Sequence, residues 1–410
     1  MAEIANTAAV HSAAVNNVGG ARASTAAASS GGAALAPLTG IAVSQWRALS
    51  ERAVEPNGYY LPDWELAVNA SARGRTGASA LTAWSEVPGT AEPRLAGLLP
   101  VISMWRGYKI PLPALVSAHP YGTLCTPPLD RDAVAEAAAT LMQQARQAGA
   151  HALILRDVTV HGAAMNAFAA VLQQRGQRPI VLQSYLRACL DATRDADELL
   201  REGLGQKKLK ELRRQRNRLA EHGEVRFEVA RAPAEVAAAT EMFLKLEASG
   251  WKARRGTALV QHDGDAAFVR RATAALAERG QCEMVSLHAG DTPVAAAIVL
   301  RHQDRAFYFK LGIDERFAKL SPGVQLTLDL TRHLCADPAI AVVDSTASAD
   351  HPMVNPIWRG RLEIGDVLIP LRRRDPVVGL IHAAMTMHRL ADETARRAVR
   401  FVRDRKQKSS

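Results

Sequence analysis

The chain of 410 residues is 48% hydrophobic and 22% charged, enough to bury a large core without metals or disulfides and long enough for two or three domains. Its four cysteines, Cys125, Cys189, Cys282 and Cys335, are dispersed and form no CxxC pair, which argues against a zinc ribbon or a disulfide framework and fits a reducing cytoplasm. The net charge of +10 is localised: residues 207–218 carry seven Lys/Arg against Glu211, and residues 396–408 seven against Asp404. Such clusters are either solvated helix faces or attractors for an anionic partner, such as CoA phosphates, nucleic acid or an anionic membrane surface. No apolar run reaches the roughly 18–20 residues that span a bilayer. The N-terminus begins Met-Ala-Glu without a basic segment, unlike a signal peptide, so a cytoplasmic protein is expected.

In chain order, residues 1–37 are rich in Ala, Ser and Gly and are expected to be disordered. Residues 42–190 read as a first α/β unit. A helix starts at Val43 and leads into an aromatic stretch, Tyr59, Tyr60 and Trp64. Strands are expected at Ala80–Trp84, Leu95–Ser103, Ala152–Leu155 and Val181–Leu190, and helices at Arg131–Ala148 and Ala163–Arg175. The Pro-rich segment 110–130 reads as a loop. Residues 195–222 read as a basic helical connector, one helix or a helical hairpin, with Leu209, Leu212 and Leu219 on one stripe and Gly223 as its stop.

Residues 224–371 read as a second α/β unit. Its expected elements are a strand at Val225–Val229, helices at Glu235–Ser249 and Asp265–Glu278, and strands at Glu283–His288, Val294–Leu300 and Ala306–Gly312. A helix at Val324–Cys335 and a strand at Ala341–Ser345 follow. A final hairpin, Arg361–Ile364 with Val367–Leu371, would turn at Gly365-Asp366. The tail, residues 376–410, reads as helical and basic. Mixed sheets with helices on their faces follow from this order, an α/β class of α+β mixed-sheet type.

Walker A, complete GxGxxG, GxSxG, HExxH and zinc-finger spacings are all absent, which removes support for kinase, dinucleotide, serine-hydrolase and zinc-protease chemistry. The most informative stretch is KLGIDERFAKLSPGVQL from Lys310 to Leu326. A strand ends there and Ser321-Pro322-Gly323 opens a helix, with Ser321 as N-cap and Pro322 at the first position. Gly323 would let a ligand approach the backbone. The amides of Gly323, Val324 and Gln325, with the helix dipole, would suit a pyrophosphate. A plain helix cap is the competing reading.

Five blocks carry a resemblance: KKLKELRRQRNRLAEHG (207–223), LEASGWKARRGTAL (246–259), residues 293–300, FKLGIDERFAKLSPGVQL (309–326) and DSTASADHPMVNPIWRGR (344–361). In order and spacing, residues 195–365 resemble the cellulose-biosynthesis (CelD-like) acetyltransferases, a FemAB-like branch of the GNAT superfamily. The first half is similar only through its aromatic start. The resemblance implies tandem GNAT-like units joined by the basic connector. It also implies an acyl-CoA co-substrate such as acetyl-CoA rather than a permanently bound cofactor, with Ser321, Pro322 and Gly323 in the pyrophosphate turn. It points to an amine acceptor and an association with cellulose or exopolysaccharide production. FemAB-like relatives can use aminoacyl-tRNA, which the basic connector would suit. A third reading is a GNAT-like module that binds a partner without catalysis.

Acyl transfer requires a positioned donor, a polarised carbonyl and a base for the attacking amine, and no covalent enzyme intermediate. Three residues are candidate bases. Asp344, after the apolar Val342-Val343, sits where the sheet should open; it also fits a turn carboxylate. Glu247 could equally be a polar position on its helix, and His351 a surface histidine. Lys310, beside the aromatic Phe307-Tyr308-Phe309, faces either the cleft or solvent. Trp251 and Lys252 are candidate substrate contacts: Lys252, Arg254 and Arg255 could grip phosphates or an acidic acceptor, or Trp251 could simply anchor the core with the charges solvated. No metal site is expected, and the N-terminal unit is expected to be structural.

Overall fold

The computed structural model describes residues 35–86, 92–250 and 256–408, with side chains described up to residue 394. The expected disordered stretch falls outside these residues up to position 34. Its last residues are ordered: Ala36 O accepts the Ala80 N–H, and Pro37 bridges Ser79.

Among the described residues, eleven strands form one sheet. They are β1 (Ser79–Ser85), β2 (Arg94–Ser103), β3 (Ala114–Ser117), β4 (Ala152–Thr159), β5 (Ile180–Asp191), β6 (Val225–Ala230), β7 (Cys282–Ala289), β8 (Thr292–His302), β9 (Arg305–Ile313), β10 (Val342–Asp344) and β11 (Gly360–Pro370). Their order is β1-β2-β3-β4-β11-β5-β10-β9-β8-β7-β6. Of these described strands, β3/β4 and β9/β10 pair in parallel and the other neighbours antiparallel. Each half is therefore an antiparallel meander that ends in a parallel pair, and the halves share β5. That strand pairs with β11 over most of its length and with β10 at residues 189–191.

Two expectations fail here. Residues 114–117 of the expected loop are a strand, β3, four residues long and so too short to show a period against its flanking prolines. The expected final hairpin is one strand. Gly365-Asp366 makes a bulge, not a turn, because β11 runs straight between β4 and β5. The Asp366 carboxylate accepts the Asp157 N–H and the Gln183 side-chain amide at 2.9 and 2.7 Å.

Helices cover both faces. α1 (Val43–Glu51), α2 (Pro62–Ser71), α3 (Met104–Tyr108), α4 (Val134–Gln147) and α5 (Ala163–Gln174) belong to the first half. The connector is α6 (Ala196–Ala220), kinked at Gly205, whose φ of 70° the absent side chain permits. Its Leu212 and Leu219 are buried and Leu209 partly so, as the stripe requires. α7 (Pro233–Ala248), α8 (Asp263–Ala277), α9 (Pro322–Cys335) and α10 (Val354–Ile357) follow, and α11 (Pro376–Lys408) closes the chain. β8 is apolar and buried on both faces because α7 and α8 cover one side while α6 and α9 cover the other.

The halves are interlocked. Tyr59 and Trp64 of the first half enter the core made by α7, α8 and β7–β9. The Trp64 ring meets Phe309 and Phe268 edge-on, with centroids 4.8 and 5.3 Å away, and its Nε1–H donates to Pro120 O.

Candidate active site

β9 follows β10 only from Arg305 to Phe307, so its C-terminal end diverges and opens a cleft. A bulge at Phe309 breaks its register with β8. Consecutive side chains, Phe309 and Lys310, thereby reach the same face. Lys310 Nζ lies 3.9 Å from Glu247 Oε1 on α7 and 5.4 Å from the centroid of the Tyr121 ring. Glu247 is buried, and its Oε2 accepts the Leu259 N–H at 2.9 Å. A crevice of about 50 Å³ lies beside it, lined by Leu246, Glu247, Gly250, Leu311, Gly312 and Glu315 among others.

The first half supplies part of the cleft. Tyr121 donates from its hydroxyl to Asp265 Oδ2 at 3.0 Å. Burial, then Asp265, pushes its pKa above the ordinary tyrosine value. Thr123 Oγ1–H donates to Thr346 O, and Thr346 Oγ1–H to Tyr308 O. Tyr121 and Thr346 both hold positive φ, 62° and 47°, a costly conformation for an aromatic and a β-branched residue.

The base candidates separate. Asp344 is fully buried; its Oδ1 accepts the Thr346 N–H and pairs with Arg187 Nε at 3.2 Å. It faces protein rather than an open cleft. His351 Nδ1 accepts the Met353 and Val354 amides and so caps α10; burial lowers its pKa. Only Glu247 and Lys310 are brought together. Trp251, Lys252, Arg254 and Arg255 lie outside the described residues.

The helix after β9 differs in detail from the expected cap. Ser321 is in the left-handed region, φ 53°, and its side chain makes no capping bond. The amides of Gly323 and Val324 sit in the first turn, where a helix has no internal partners. The Gln325 amide does not join them. It bonds to Ser321 O, and the Gln325 side chain donates to Leu212 O of α6. Gly323 faces the sheet: a Cβ would stand 2.8 Å from Leu311 Cδ2, so the glycine seats α9 on β9. Pro322 is buried and Val324 partly so.

Between α6 and α9 lies a groove of about 520 Å³, with Arg201, Arg213, Arg216 and Arg332 around Leu209 and Leu328. Asp329 pairs with Arg216 and Arg332, while Lys207, Lys208, Lys210, Arg213, Arg214 and Arg218 are exposed. Among the described residues no group of three or more His, Cys, Asp and Glu could hold a metal, and no helix is long and apolar enough to cross a membrane.

Residues 206–351 match the family model of an acetyltransferase (GNAT) domain. No curated protein matches the chain. Among solved structures, FemX is similar at 12% identity, covering 83% of this chain and 98% of that one, with a TM-score of 0.54. The C-terminal DUF2156 domain of a protein described as a lysylphosphatidylglycerol synthetase, from Agrobacterium fabrum, is 13% identical over 83% and 95%, TM-score 0.51. A tandem GNAT protein from the clavulanic acid biosynthesis pathway is 15% identical over 83% and 99%, TM-score 0.39. The fold is therefore mixed α/β with one large mixed sheet, and the stretch that matches the GNAT domain model lies within it.

Proposed function

We propose that this chain, which carries a GNAT acetyltransferase domain over residues 206–351, transfers an acyl group from acyl-CoA to an amine. The observation that supports this reading is the uncapped first turn of α9 at the mouth of the diverging β9/β10 pair. Its Gly323 and Val324 amides and helix dipole fit a pyrophosphate, and the basic α6 flanks it. The thioester would then run along β9 toward Lys310. The amine attacks the thioester carbonyl, and the tetrahedral intermediate collapses with the CoA thiolate leaving. Glu247 takes the proton from the amine. Lys310, 3.9 Å from Glu247, places positive charge where the oxyanion develops.

A second reading, an aminoacyl-tRNA donor, is favoured by the six exposed Lys/Arg from Lys207 to Arg218. Its binding would weaken steeply with salt.

Calorimetric titration with CoA and acetyl-CoA tests the first reading, with Val324→Glu as the variant. A glutamate at the third helical position suits the helix N-terminus but puts negative charge on the pyrophosphate site. Micromolar binding that the folded variant loses supports the acyl-CoA site. No binding by the wild-type protein rejects it and makes tRNA the next ligand to titrate.

A further inference from the structure

Two arginines of the first half are partly buried and bonded to nothing described. Arg75, in the turn after α2, lies with Cζ 4.8 Å from the Tyr121 ring centroid, and its Nε is buried without a hydrogen-bond partner. Arg156, on β4, lies 5.6 Å from the Tyr108 ring centroid. Neither guanidinium makes a hydrogen bond or ion pair among the described residues. Buried guanidinium groups are ordinarily paired, because an unmatched charge loses its hydration without compensation.

Arg75 and His119 both meet Tyr121, one at its ring and one at its amide, while Arg156 and His119 lie just past the paired stretch of β4 and β3. His119 Nδ1 accepts the Tyr121 N–H at 3.1 Å, so Nε2 carries the proton of the neutral ring and can donate. Burial, reinforced by the two arginine charges, holds the His119 pKa well below its ordinary value. The nearby acids make their hydrogen bonds elsewhere or have their neutral forms favoured by burial, although Asp157 and Asp366 still act on Arg156 through space. Asp265 accepts from Tyr121 and from the Arg73 amide, and Asp366 from Gln183 and the Asp157 amide. Burial raises the Asp157 pKa, and raises that of Glu65 well above the carboxylate range.

The position has a topological reason. β3 and β4 pair in parallel only as far as Val116 and Ile154. Arg156 lies two residues past the last pair, and His119 three. Ligands of open α/β sheets bind where such strands part, and β9/β10 part in the same way in the second half.

We propose that Arg75, Arg156 and His119 form an oxyanion-binding site, one that takes the phosphate or carboxylate group of a ligand. The Tyr121 ring that Arg75 covers also lies under Lys310, so a molecule held there abuts the acyl-transfer cleft. The site stands independently of the acyl-CoA reading.

The test is calorimetric titration of the full chain with sodium phosphate and, separately, sodium acetate, at ionic strength matched with chloride. Wild type is compared with Arg75→Gln, Arg156→Gln, the double variant and Val324→Glu. Saturable binding of at least one anion is expected, weakened tenfold or more by either arginine substitution and retained in Val324→Glu, in which any phosphate held by the first turn of α9 is removed. Preference for phosphate identifies a phosphorylated ligand, and preference for acetate a carboxylate. Without anion, the arginine variants should melt no lower than wild type, since each loses an unmatched charge; a lower melting temperature would mean the arginines are structural and overturns the proposal. It is also overturned if neither anion binds wild type, or if binding survives in the folded double variant. Parallel CoA titration separates the readings: CoA binding without oxyanion binding defeats this inference alone, and the reverse defeats only the acyl-CoA assignment.

Discussion

Lys310 Nζ and Glu247 Oε1 stand 3.9 Å apart, one on a bulged strand and one on the helix packed against it, at the point where β9 leaves β10. A glutamine at 247 can still accept the Leu259 N–H that Glu247 accepts now, so the fold should survive Glu247→Gln. Acyl transfer should fall by about 100-fold or more, the usual contribution of a general base, while CoA affinity stays within about twofold. Lys310→Met should lower turnover similarly. Thiol release from acetyl-CoA with an amine found by screening reads the rate, and calorimetry the affinity. A full rate in Glu247→Gln would remove it as the base.

Asp344 has a different task. It and Arg187 are both without exposed surface, and Arg187 Nη1 also donates to Thr123 O and Oγ1. The pair ties β5 to β10 and holds the segment that carries Tyr121. Asp344→Ala leaves a buried guanidinium without its anion and should cost about 3–5 kcal/mol. The double variant Arg187→Met/Asp344→Leu should recover most of that. Urea unfolding measures both; a wild-type midpoint for Asp344→Ala would show the pair to be idle.

Gly122 rests on the face of Tyr59, where a Cβ would lie 2.3 Å from ring carbon Cδ1. The ring cannot yield, since Trp64, Phe307 and Phe309 surround it. Gly122→Ala should therefore destabilise by roughly 1–3 kcal/mol as overpacking does, and should loosen Tyr121 and Thr123 on either side. Thermal unfolding reads the first effect. An unchanged melting temperature would mean the loop moves freely away from Tyr59.

Elements with a strong period were legible. α7 carries Val236, Thr240, Phe243, Leu244 and Glu247 on one face, and all are buried. The doubly covered β8 reads as a continuous apolar run. β11 was not legible, because insertion between β4 and β5 depends on partners about 170 to 220 residues away, and Gly365-Asp366 looks the same in a bulge as in a turn. The site was half legible. The strand–turn–helix around Ser321 and the Glu247 and Lys310 side chains stood out locally. Tyr121, Thr123, Arg75 and Arg187 did not, since nothing in a Pro-rich segment, a polar turn or a strand says that it will close over the other half of the chain.

His302 gives a pH test of how the halves are joined. At the end of β8, its Nδ1 accepts the Asn57 N–H, and its Nε2–H donates to Ser50 O, both at 2.9 Å. This bridge requires the neutral ring, and burial lowers the pKa from 6.5 to about 4. Between those values the unfolded chain binds a proton that the folded one excludes, so stability is complete above pH 6.5 and declines as pH falls toward 4. The full loss from this one ring is about 3 kcal/mol. Glu283 acts lower. Burial favours its neutral form, but the His333 hydrogen bond and Arg301 outweigh that and hold its pKa at about 2. Its contribution is therefore lost only below pH 4.5. The difference between wild-type and His302→Gln urea midpoints from pH 7 to 5 isolates this histidine from His119, His351 and Glu65, whose pKa values burial also shifts. Wild type should lose stability steadily across that interval, and His302→Gln, which has no proton to gain, should start lower but show a flatter slope. Equal slopes would mean that the ring titrates normally and that the joint between the halves opens below neutral pH.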